Sequence, residues 1–78
     1  MSEWLGTAAD AIAREAGIDR STLDLSEGDK ESILEVAALA AHESGVRLNA
    51  PLLCYLLGRA SREAELQQLA AAVRATVP

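Results

Sequence analysis

Apolar residues recur at spacings of three and four along most of the chain, the pattern of helices that turn one face inward. Leu5, Ala8, Ala9, Ile12 and Ala16 share one side, with Asp10 and Arg14 opposite. This predicts a first helix over residues 2–16, with Ser2 as N-cap, Glu3 in the favourable first turn and Gly17 as the left-handed residue after its end. From Ile18 to Gly28 the period is lost among Asp19, Ser21, Thr22, Asp24 and Ser26, whose side chains compete for backbone hydrogen bonds. That stretch reads as a connector with one short helical turn near Arg20 to Leu23, sending Ile18, Leu23 and Leu25 into the core.

Ser26-Glu27-Gly28-Asp29 has the form of a capping box, so a second long helix starts there and Gly45 stops it. Its inner face is Ile33, Val36, Ala37, Ala40, Ala41 and Ser44, widened by Leu34. Pro51 suits the first position of a third helix running to about Ala60. Leu52, Leu53, Cys54, Tyr55, Leu56 and Leu57 make that helix apolar all round, which predicts a central helix covered on several sides. Ser61 reads as a cap or kink. Beyond it Leu66, Leu69, Ala70, Val73 and Val77 form a clean stripe for a fourth helix. No strand alternation or internal repeat is present, so the expected fold is all-α, one domain over residues 1–78, a compact bundle of about four helices with short links.

Length fits a single small domain. The 50% hydrophobic content is largely alanine and leucine with no Phe, so the core is built from thin side chains and self-association or docking gains weight. Twelve acidic against seven basic residues leave a net charge of −5, which argues against nucleic acid and anionic membranes as partners. A lone cysteine, Cys54, excludes an internal disulfide or a Cys-cluster zinc site and fits a reducing cytoplasm. Nothing resembles a signal peptide, and the apolar run Ala50 to Gly58 is too short to span a bilayer.

Candidate chemistry is sparse. His42, the only histidine, reads either as an acid, base or ligand, or as a cap on the last carbonyls of its helix, the simpler reading. Its helical neighbours Ala38, Leu39, Gly45 and Val46 offer no further metal ligand. Arg47, with Asn49 and Pro51 at the next helix start, could hold a phosphate or carboxylate there; the plainer reading pairs Arg47 with Glu43. Cys54 lies among apolar residues with no adjacent base and reads as an inert buried thiol. Trp4 reads as a lid over one end of the core or, if exposed, as a docking anchor. No nucleophile, base and orienting group can be assembled, so the chain is not expected to be an enzyme and no cofactor is assigned.

An acidic four-helix chain of this length invites comparison with acyl carrier proteins. Their attachment serine sits in an Asp-Ser-Leu setting, whereas this chain has Asp24-Leu25-Ser26-Glu27, with the order wrong. A nearer match lies in Ala41-His42, Arg47, Ala50-Pro51-Leu52 and Leu56-Leu57-Gly58. This set, with Trp4-Leu5 and Gly17-Ile18-Asp19, resembles a small bacterial all-helical family of unknown function, found alone or fused to the C-terminal side of molybdopterin-guanine dinucleotide nucleotidyltransferases. Leu48 stands where that family typically has proline. The resemblance implies a molybdenum-cofactor context and directs attention to His42, Arg47, Pro51 and Gly58.

The function expected is therefore a non-catalytic accessory or protein-interaction domain, with a molybdopterin nucleotidyltransferase as the partner the resemblance suggests. Its surface would lie around His42, Arg47, Asn49 and Pro51. The rival is a domain binding a small anion, such as a nucleotide phosphate, at the helix start near Pro51. An alanine-rich helix face also leaves room for a homodimer.

Overall fold

The computed structural model describes residues 3–77, and all of its regular structure is helical. Four α-helices, α1 (Glu3–Ala16), α2 (Glu27–Ser44), α3 (Asn49–Ala60) and α4 (Leu66–Arg74), are joined by short links, with one 3-10 turn at Arg20–Leu23 between the first two. The expected cap at Ser2 lies outside the described residues. No described helix is long and apolar enough to cross a membrane.

Each boundary has a local cause. α1 ends at Gly17 and α2 at Gly45, with φ of 68° and 73°, left-handed values that cost a residue with a Cβ about 1–2 kcal/mol. The 3-10 turn opens where the Asp19 carboxylate accepts from the Ser21 backbone N–H at 3.0 Å and from its hydroxyl at 2.9 Å. Those two bonds hold the Asp19 carboxyl below its ordinary value. α2 starts on a complete capping box: the Asp29 N–H donates to Ser26 Oγ, and the Ser26 N–H donates back to the Asp29 carboxylate.

α2 is the spine, packing along α3 and α4, which also touch each other. Val36, Leu57 and Ala70 form the buried centre, one from each helix, with Leu53, Leu66, Leu69 and Val73 packed around them. Arg74 of α4 donates to Glu35 of α2 at 2.7 Å, and Ser32 Oγ donates to Gln67 Oε1 at 3.0 Å; together they set the register of α4 on α2.

α1 is held differently. It packs on the 3-10 turn, and none of its Cα atoms comes within 8 Å of a Cα in α2, α3 or α4. Ala13 is its one buried residue, and Arg20 clamps it by donating to Asp10 at 2.8 Å and Asp24 at 3.1 Å. The shape is correspondingly long, 40 × 25 × 20 Å, with a radius of gyration of 13.4 Å against about 11.5 Å for an average fold of this length.

Several side chains expected inside are therefore outside. Ile18 and Leu25 are exposed, and only Leu23 is half-buried, because the helical turn of the connector packs on α1. Leu34 lies on the outer side of α2, and Trp4 is exposed. Residues 61–64 form turns, so α4 starts only at Leu66 and Val77 follows its end.

Candidate functional site

The most unusual feature of the molecule is the outer side of α3. Leu53 and Leu57 point toward α2 and α4, while Leu48, Leu52, Tyr55 and Leu56 are 58–73% exposed. At spacings of i, i+4, i+7 and i+8 these four lie on one stripe, continued by Arg59 at i+11. The Arg59 guanidinium stands 5.8 Å from the Tyr55 ring centroid, so cation and aromatic share one patch. The expectation that α3 is covered on several sides is corrected here: α2 and α4 cover one side, and α1 packs on the 3-10 turn and leaves the other side open.

Charge adds to the patch. Between residues 47 and 62 the only charged side chains are Arg47, Arg59 and Arg62, although the chain as a whole is acidic. Among the described residues none of the three joins an ion pair. The expected pairing of Arg47 with Glu43 is thus absent, and Arg47 stands exposed in the link between α2 and α3.

The four candidate residues do not converge on one cavity. His42 is exposed in the last turn of α2. α3 starts two residues earlier than expected, so Pro51 occupies its third position; the missing N–H is harmless there because the first four N–H groups of a helix lack intrahelical partners. At that end the Asn49 N–H donates to the Val46 carbonyl at 3.0 Å and the Ala50 N–H to the Arg47 carbonyl at 3.1 Å. With Pro51 next, these first positions of α3 present no free N–H to an anion. Leu48, the N-cap, supplies no side-chain acceptor.

Asn49 lines a groove. This hollow of about 460 Å³ runs between the ends of α2, α3 and α4 and is walled by Leu39, Leu52, Leu53, Leu56, Val73 and Val77. It opens beside the exposed stripe, with which it shares Leu52 and Leu56, and Glu43 is the charged residue on its wall. Cys54 is half-buried on the other flank of α3. Among the described residues no group of three or more His, Cys, Asp or Glu side chains could hold a metal ion, and no buried side-chain polar atom lacks a partner.

Sequence reasoning missed Leu52, Tyr55, Leu56 and Arg59 as surface residues. Their signal is present in the heptad-like run from Leu48 to Arg59, but it overlaps an inner stripe of Ala50, Leu53, Leu57 and Ala60, and the two together look like uniform burial. In comparisons with known proteins, no family model, no curated protein and no solved structure matches the chain.

Proposed function

We propose that this chain is a non-catalytic protein-interaction domain whose docking surface is the outer face of α3 with the adjoining groove. The observation that carries the reading is the continuous stripe Leu48, Leu52, Tyr55 and Leu56 left exposed on a helix whose opposite face is core. Soluble proteins rarely leave a connected apolar patch of this kind uncovered unless something binds it. Tyrosine within the stripe and arginine at its end are the residue types that most often anchor interfaces. The partner it calls for is an apolar protein surface with carboxylates at its edge, matching Arg47 and Arg59.

The molybdenum-cofactor context rests on the resemblance in Ala41-His42, Arg47, Ala50-Pro51-Leu52 and Leu56-Leu57-Gly58, three of whose segments flank or form this face. In this reading the domain is a cytoplasmic accessory to a molybdopterin nucleotidyltransferase, with Arg47 and Pro51 at the rim of the surface. Docking is favoured over anion binding because the first N–H groups of α3 are already accepted by carbonyls. The test is a pull-down from native cell extract with the tagged domain beside Tyr55→Glu and Arg47→Ala controls. Recovery of a nucleotidyltransferase or molybdoenzyme with the wild type, lost with Tyr55→Glu, supports the reading; equal recovery with all three, or none with the wild type, refutes it.

A further inference from the structure

We infer that the chain is built on a hinge: α1 and the 3-10 turn, residues 3–23, swing as one rigid arm against the α2–α4 core, residues 27–74, about a pivot at Leu25. The inference is independent of what binds α3.

Three observations carry it. The first is the link. Only Asp24, Leu25 and Ser26 join the 3-10 turn to α2, and the backbone is extended at Asp24 (φ −69°, ψ 139°) and at Ser26 (φ −72°, ψ 166°). Hinges are of this kind, a few residues at element ends that absorb a change in backbone angles while the elements stay rigid.

The second is where the polar contacts close. The Asp24 N–H donates to the Ser21 carbonyl within the arm, and the Ser26 N–H donates to the Asp29 carboxylate within the core. Arg20 pairs with Asp10 and Asp24, and Lys30 pairs with Glu27 of its own helix. Trp4 left aside, no hydrogen bond or ion pair among the described residues joins arm to core, and Leu25 takes part in none. Rotation at Leu25 therefore breaks none of these bonds.

The third is packing. Neither α1 nor the 3-10 turn has a Cα atom within 8 Å of one in α2, α3 or α4. Each body has its own buried residues, Ala13 in the arm and Val36, Leu57 and Ala70 in the core. Leu25 itself is 44% exposed and lies between two open clefts. One, of about 500 Å³, adjoins Leu5, Ala9 and Leu23 on the arm side; the other, of about 630 Å³, adjoins Ile33 and Leu57 on the core side. Relative motion is the default for bodies that share no large apolar interface. The hinge redirects α1 while the buried residues of both bodies and the capping box of α2 stay intact.

The test is residual dipolar coupling of backbone amides on the full chain in a weakly aligning medium, which averages over motions slower than tumbling. Residues 3–23 and 27–74 are each expected to fit the structure with an alignment tensor of their own, the arm aligning more weakly than the core. Leu25→Gly frees the pivot and should reduce the arm's alignment further. Leu25→Pro should raise it toward that of the core, because proline fixes φ, the Leu25 N–H it removes has no partner, and the extended Asp24 accommodates a following proline. Helical circular dichroism should stay unchanged in both variants, since Leu25 lies in no helix. A single tensor of equal magnitude fitting both bodies of the wild type overturns the hinge. Weaker alignment of the arm that Leu25→Gly leaves unchanged overturns Leu25 as its pivot.

Discussion

Leu56 and Leu57 are adjacent, chemically identical and central in α3, yet they should respond very differently to truncation. Leu57 is 6% exposed and touches the buried centre with Val36 and Ala70. Replacing it with alanine removes nearly all of a buried leucine's transfer free energy and leaves a cavity, together about 2–5 kcal/mol. A chain of 78 residues has about 4–12 kcal/mol of total stability at 0.05–0.15 kcal/mol per residue. A core with so few buried side chains belongs near the low end, so Leu57→Ala is expected to unfold most of the population at physiological temperature. Leu56 is 58% exposed, so Leu56→Ala forfeits less than half of the same burial, about 1 kcal/mol or less. The assay is urea unfolding followed by circular dichroism, at a concentration low enough for the chain to be monomeric. Equal losses at both positions would refute the reasoning, because they would mean that α1 covers the outer face of α3 within the same chain.

Three smaller tests address the elements around that core. Ser26→Ala removes the acceptor for the Asp29 N–H and should cost about 1 kcal/mol in urea unfolding; no loss would mean the capping box contributes nothing. Arg20→Ala removes the bridge from Asp10 of α1 to the 3-10 turn and Asp24, so amide exchange should accelerate in α1 and stay unchanged in α2, α3 and α4; uniform acceleration would show that α1 shares their core. The Asp19 carboxyl should titrate below its ordinary 3.8 and move back up in Ser21→Ala. Because its folded value is depressed, its contribution to stability is present above 3.8 and is lost as pH falls through the folded value. A midpoint at 3.8 or above would show that the Ser21 bonds do not form in solution.

Local chemistry made the helices legible. Gly17 and Gly45 end helices as their spacing after the apolar runs implies, the Ser26 and Asp29 pair builds the box its motif describes, and the turn at Arg20–Leu23 forms where side chains break the period. These are contacts within a few residues, and short-range physics settles them. The packing of α1 was not legible, because Leu5, Ala9 and Ile12 mark a face that needs cover without saying what provides it. The decisive element is the Arg20 bridge, whose partners Asp10 and Asp24 lie ten residues back and four ahead.

The same limit explains the candidate site. His42 and Arg47 stand out in sequence as the conspicuous functional groups between α2 and α3, but the structure leaves both exposed and brings neither to the groove. Asn49 reaches it through its place at the first turn of α3. The residues that matter most for docking, Leu52, Tyr55 and Leu56, looked like core because an all-apolar helix is ordinarily surrounded. In this chain that rule holds only if a second surface supplies the missing side.

The most direct measurement is capture of a partner from native cell extract by the wild-type domain beside Tyr55→Glu, with circular dichroism showing the fold of both unchanged. The account predicts a partner held by the wild type and lost with Tyr55→Glu, because Tyr55 is exposed on the outer face of α3. Equal capture by both would contradict it.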